Sequence, residues 1–321
     1  MTESNSSPAD SLAFAMHEIG AGRREMPKSE AKRHHIVPRF LLARFAASPG
    51  NQAKVRQLDI ESGGTSLVTV RTAATRHRFY AVRSTEDEKD NRIESLFSLI
   101  EDYAAKAIEP LLTCPEGLTD HDRIAISIFI ALQTQRTPAG LGRAEALVKE
   151  TAEAVLREHV EDPIAFLRAA RDAGVTRSAA DLEKDRLELK RALAEERLRG
   201  EYVREEALRG IVNGLLEAGR HPLEMEWYLL RPGEGEFVAS DAGFNVVRNS
   251  SGELETAIPL APDACLVLTG KGDRLRRLEV PKPAVTDMNL RTYAHAERFI
   301  FGRTEAVLAG LRGSDSGYLQ G

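Results

Sequence analysis

Along this chain the spacing of hydrophobic residues changes from short and alternating, to helical, and back to alternating. In PRFLLARFA the residues Phe40, Leu41, Leu42 and Phe45 fall at helical spacing behind Pro38, which a first helical turn tolerates. AKVRQLDI and TSLVTVRT flank ESGG, and β-branched alternation around Gly63-Gly64 predicts a hairpin. RHRFYAV reads as a third short strand. The next segment is helical: Ile93, Leu96, Phe97, Ile100, Tyr103, Ala104, Ala107, Ile108 and Leu111 form one stripe, with Pro115 just beyond its end. A second helix is predicted from Thr119, where Asp122 completes a capping-box pattern. Its IAISIFIAL run is apolar nearly all round, which places it at the centre, and Pro138 should kink or end it.

From Gly142 to Gly219 the chain is rich in Ala, Glu, Arg and Leu, broken at Asp162-Pro163, at Gly174 and near Gly200. Three or four amphipathic helices are predicted there, with opposite charges at i,i+4 on LEKDRLELKRALAEERLRG. After His221-Pro222 the pattern turns to strands: EMEWYLLR and GEFVASD around PGEG read as a hairpin, and TAIPLAP and ACLVLTG as two more strands. DMNLRTYAHAERFIFG reads as a closing helix. The predicted class is α+β: a mostly helical single large domain, with a small N-terminal β-hairpin region and a C-terminal antiparallel β region. The expected boundaries are a disordered tail over 1–30, one domain over 31–303 and a C-terminal tail over 304–321. Within the domain, 31–83 holds the histidine motif and hairpin, 90–220 the helical bundle, and 223–303 the later strands and helix.

Composition narrows the class without changing it. With 42% hydrophobic and 29% charged residues the chain reads as an ordinary soluble protein. No uncharged apolar run reaches the ~20 residues of a membrane helix. The first residues lack a basic start and long apolar core, and the two cysteines, Cys114 and Cys265, form no framework, so a cytoplasmic protein is expected. Charge is more informative. The net value is −5, yet residues 22–83 carry thirteen Lys/Arg against four acids. Such a basic segment favours nucleic acid or another phosphate-bearing partner, unless it pairs with acidic helices elsewhere. Neither GxxxxGK[ST] nor GxGxxG before a helix occurs, which argues against the common nucleotide folds.

In their order, HHIVPRFLLARF, RHRFY, IESLFSLIEDYAAKAI, FIALQTQRTP, FVASD, IPLAPD and an asparagine followed by AERFIF resemble the bacterial family known as domain of unknown function 4238. The likeness covers about Lys32 to Phe301. It implies fold and boundaries, since that family has no settled activity. One position departs: the family usually carries proline two residues after the Ser-Asp pair, where this chain has Ala242-Gly243. HHIVP is also similar to the first motif of HNH nucleases, which implies His34 as a metal ligand and His35 as the general base. The downstream half of that motif has no clear counterpart.

The candidate chemistry gathers in those same segments. Glu94 and Glu101 lie two turns apart on one helix face. With His34 and His35 they could hold Mg²⁺, Mn²⁺ or Zn²⁺; the plainer alternative pairs each glutamate with Arg76, Arg78 or Arg136. His35, Arg136, Asp241 and Asn289 are the candidate catalytic residues. The plainer alternatives are a His35 that donates to a carbonyl, an Arg136 in a structural pair, and a Ser240-Asp241 turn or cap. The function expected is metal-assisted hydrolysis of a phosphodiester, nucleic acid being the favoured substrate. The alternative is a non-enzymatic module that binds anions or nucleic acid, or an effector of a bacterial defence or toxin-like system.

Overall fold

The computed structural model describes residues 33–48, 50, 52–83, 89–90, 92–194, 200–248 and 252–312. The expected N-terminal tail lies outside these. With 54% of the described residues helical and 21% in strands, the class is α+β. Among the described residues no helix is long and apolar enough to cross a membrane.

Two helices form the centre. Helix α2 (Arg92–Thr113) buries the stripe of Leu96, Phe97, Ile100, Ala104, Ala107, Ile108 and Leu111. Helix α3 (Asp120–Arg136) starts in the expected capping box: Thr119 Oγ1 accepts from the Asp122 N–H, and Asp122 accepts from the Thr119 N–H. Because α3 is apolar on most sides, it is covered from several directions, by α2 and by α7 (Gly200–Leu223) among others. Pro138 ends α3 by opening α4 (Pro138–Glu161), whose cap Thr137 accepts from the Gly140 N–H at 3.1 Å. Helices α5 (Pro163–Asp172) and α6 (Ala179–Ala194) complete the four helices of the middle segment. Asp162 caps α5, accepting from the Ile164 N–H at 2.8 Å.

Short elements from both halves of the chain surround this centre. Strand β1 (Arg33–His35) leads into α1 (Arg39–Arg44) and pairs with β4 (Thr75–His77). Strands β2 (Lys54–Asp59) and β3 (Thr65–Thr69) form the predicted hairpin. Further along, a small pair joins β5 (Val82–Arg83) to β6 (Lys89–Asp90). A five-stranded sheet has the order β12-β7-β11-β10-β9, from β7 (Glu226–Pro232), β9 (Asn245–Arg248), β10 (Leu254–Ala261), β11 (Ala264–Thr269) and β12 (Leu275–Val280). A four-stranded sheet, β3-β2-β13-β8, joins the first hairpin to β8 (Ala239–Ser240) and β13 (Phe299–Gly302).

Four expectations change. EMEWYLLR and GEFVASD do not pair: β7 lies between β11 and β12, while Ala239 and Ser240 pair with β13 in the other sheet. The later sheet is mixed, because β12 runs parallel to β7; its sequence, RLRRLEV, is almost wholly exposed and has no apolar alternation to mark it. The closing helix α8 (Lys282–His295) stops at His295, and FIFG becomes strand β13. The expected C-terminal tail begins as structure: α9 (Glu305–Ala309) buries Leu308, and Leu311 follows, beside Leu58 and Ile300.

Gly243 explains the departure at that position. Its φ is +75°, a backbone that proline, fixed near −65°, cannot adopt. A Cβ there would also sit 2.6 Å from Gln133 Nε2, a buried amide that donates to the Ile36 carbonyl at 3.0 Å. Gly243→Ala should therefore cost about 1–3 kcal/mol in urea denaturation. An unchanged midpoint would show that the turn relaxes without help from glycine.

Candidate functional site

The opening histidines are built into a buried polar cluster. His34 is fully buried, and its Nδ1 accepts from the Tyr80 N–H at 2.8 Å. That bond makes Nδ1 the unprotonated nitrogen. The imidazole also stacks on the Tyr80 ring at 5.6 Å with the planes 8° apart. His35 alternates to the other side of β1, where its Nε2 lies 3.2 Å from the Arg71 carbonyl and serves as the donor. Burial pushes its pKa down to about 4, helped by the positive charge of Arg39 and, more weakly, of Arg136. Two residues near this strand, Ala74 and Arg78, hold left-handed φ values of 47° and 48°.

Arg136, at the C-terminal end of α3, is the hub of the cluster and its side chain is wholly buried. Its guanidinium pairs with Glu101 through Nη1 and donates to the His35 carbonyl through Nη2. Its Nε donates to the Tyr80 hydroxyl at 3.3 Å, and that hydroxyl donates to the Arg136 carbonyl at 2.8 Å. The rings of Tyr80 and Phe97 each lie 5.4 Å from the guanidinium carbon. Burial alone would lower its pKa, but the surrounding Tyr80, Glu101 and Glu94 raise it, so Arg136 remains charged. Burial raises the Tyr80 pKa to about 12.

Glu94 lies two turns from Glu101 on α2. Burial raises its pKa to about 7; the Arg136 charge opposes that rise and the Glu101 charge adds to it. One carboxylate oxygen of Glu94 has no hydrogen-bond partner among the described residues. Thus His35, Glu94, Glu101 and Arg136 do meet in space. His34, His35, Glu94 and Glu101 do not assemble into the expected metal set: among the described residues no three His, Cys, Asp or Glu side chains are grouped to hold an ion. Their side chains turn to different partners. The Nδ1 lone pair of His34 is engaged by Tyr80, His35 turns toward Arg71, and Glu101 turns toward Arg136.

Asp241 and Asn289 lie elsewhere and hold backbone. The Asp241 carboxylate accepts from the N–H groups of Glu297, Arg298 and Phe299 at 2.8, 2.9 and 3.1 Å, fixing the entry to β13. Burial raises its pKa while these bonds oppose the rise. Asn289 Oδ1 accepts from the Val238 N–H at 3.0 Å, and Nδ2 donates to the Glu236 carbonyl at 2.8 Å. Both act as splints for the strands around them.

Beside the cluster lies a groove of about 950 Å³ between α1, the β2–β3 hairpin and α2. Arg39 and Phe40 line it from α1, Gln52, Thr69 and Arg71 from the hairpin side, and Ser98, Glu101 and Asp102 from α2. Glu101 keeps 17% of its side chain exposed, so it belongs to both groove and cluster. Arg39 and Arg71 are exposed and form no ion pair among the described residues, unlike Arg44, Arg76 and Arg298, which pair with Glu109, Glu297 and Asp59. Sequence reasoning missed the pair of free arginines. The only signal was the excess of positive charge over residues 22–83.

A family model described as a protein of unknown function, DUF4238, matches residues 33–306. The chain belongs to this family. The match begins at β1 and ends in α9, so the cluster and the groove both fall within it. No curated protein and no solved structure matches the chain.

Two tests follow from the cluster. Arg136→Met should lower the unfolding free energy by about 3–5 kcal/mol, because it leaves the Glu94 and Glu101 carboxylates without a buried cation. Adding Glu101→Gln should recover part of that loss in chemical denaturation; a single-variant loss below about 1 kcal/mol would contradict a buried ionic lock. The second concerns pH. His35 has a folded pKa near 4 against 6.5, so its contribution is present above 6.5 and is lost as pH falls toward 4. Glu94 has a folded pKa near 7 against 4.5, so its contribution is present below 4.5 and is lost as pH rises through 7. Between 4.5 and 6.5 the two slopes, each at most ~1.4 kcal/mol per pH unit, oppose each other. Relative to wild type, Glu94→Gln should lose stability on acidification across that window and His35→Gln on alkalinisation. Parallel pH profiles for all three proteins would rule out this balance.

Proposed function

We propose that the chain is a binding module that takes a phosphate-bearing ligand in the groove between α1, the β2–β3 hairpin and α2. The carrying observation is the pair of exposed arginines, Arg39 and Arg71, on one polar concavity without carboxylate partners among the described residues. Glu101 is neutralised by Arg136, so two guanidinium groups share the groove with one carboxylate, Asp102, that forms no ion pair among the described residues. A guanidinium suits phosphate because its planar fork donates two parallel bonds. His35 is a positioning residue here. Its imidazole holds the Arg71 carbonyl, and so the backbone that carries one of the two arginines.

The residues once expected to do chemistry support binding over turnover by their occupation. Arg136, Asp241 and Asn289 each spend their polar atoms on the protein itself. Hydrolysis of a phosphodiester by general acid–base chemistry is the second reading, and one observation favours it. At neutral pH His35 is an uncharged imidazole, and Glu94 titrates near 7, the range useful for proton transfer.

Fluorescence anisotropy with a labelled oligonucleotide separates the readings. Arg39→Ala and Arg71→Ala should each weaken binding about 3- to 30-fold and flatten its dependence on salt. Binding that ignores both substitutions and salt would remove the groove from consideration. Cleavage of the oligonucleotide in Mn²⁺, abolished by His35→Ala in a protein that still folds, would move the hydrolase reading to the front.

A further inference from the structure

We infer that the groove recognises a guanine nucleotide, its phosphate on Arg39 and Arg71 and its base edge on Asp102; this rests on the phosphate-binding reading above. Asp102 is the reason. It follows Ser98 by one helical turn on α2, is exposed, and forms no ion pair among the described residues, whereas its neighbour Glu101 is held by Arg136. A free carboxylate in a groove for phosphate repels that phosphate unless the same ligand brings hydrogen-bond donors. An ionised carboxylate only accepts, and it accepts two parallel N–H bonds best.

Among the common bases, guanine presents two adjacent donors, N1–H and N2–H, on its Watson–Crick edge. Adenine and cytosine place a ring acceptor beside their amino group, which a carboxylate would repel. A duplex hides this edge in pairing, so the ligand is a free nucleotide or an unpaired residue of a single strand. Phe40 supplies the flat apolar wall that stacking requires: its half-buried ring lines the groove and rests against Phe129 at 5.5 Å. The volume, about 950 Å³, accommodates a nucleotide.

The test uses the full chain and labelled thymine strands carrying one central guanine, adenine or cytosine, with guanosine monophosphate as competitor. The guanine strand should bind roughly 5- to 100-fold more tightly than the other two. Asp102→Asn should bring that ratio close to one, and because the side chain is exposed its melting temperature should match wild type. Competition by the mononucleotide at concentrations like those of the strand would identify a free nucleotide; weak competition would identify the single strand. Equal affinity for the three strands, or a guanine preference that survives Asp102→Asn, would overturn the inference and leave phosphate binding standing. Absence of binding to every strand and to the mononucleotide would overturn both.

Discussion

A single buried guanidinium ties together parts of the chain that the hydrophobic core alone would leave free to slide. Arg136 sits on the most buried helix and reaches β1 through the His35 carbonyl, α2 through Glu101, and the loop after β4 through Tyr80. Lysine could not do this, because its point charge lacks the planar fork that serves several acceptors at fixed angles. A buried ion pair of this kind adds little net stability over a well-packed apolar replacement. What it supplies is specificity of register: α2, α3 and β1 must arrive in one arrangement for every donor on Arg136 to be satisfied.

That arrangement has a consequence for the surface. By drawing Glu101 inward, Arg136 removes one of the two carboxylates that would otherwise neutralise Arg39 and Arg71. The interior lock thus sets the electrostatics of the groove beside it. The two histidines divide their work between the same two places. His34 is stacked on Tyr80 inside the cluster, and His35 faces the backbone of Arg71 at the groove. Their adjacency follows from strand geometry, in which neighbouring side chains point to opposite faces.

The long helices and several of their ends were legible in the sequence because each rests on local signals: the stripe from Ile93 to Leu111, the Thr119–Asp122 box, the stop at Pro138. The Glu101–Arg136 pair was legible as one of several options, since a buried arginine needs an anion, yet nothing local chose among its partners. Tyr80 as the third member was not legible; it read as a strand residue. Strands fared worse where their partners are distant. FIFG takes its identity from Arg56, Gln57, Leu58 and Asp59, and its own residues suit a helix end equally well. Strand β12 is part-buried only at its ends, at Leu275 and Val280, and so carries no alternating pattern. That Arg39 and Arg71 have no ion-pair partner among the described residues is a property of the folded arrangement, and a single sequence does not reveal it.

The four-stranded sheet also bears on how the protein is made. Strand β2 finds β3 within a few residues but has β13 as its other neighbour, and the Arg298–Asp59 contact beside that seam spans 239 positions of chain. At a synthesis rate of about 5–20 residues per second, the second partner follows the first out of the ribosome by roughly 12–50 s. During that interval β2 has one edge with unpaired backbone groups, the kind of edge that recruits strands from other chains. The hairpin meanwhile has α1, which emerges just before it, packed against β2. The nascent protein therefore keeps its first sheet half-built until its last strand is released, and a stalled or truncated chain would expose a surface that the finished molecule never shows.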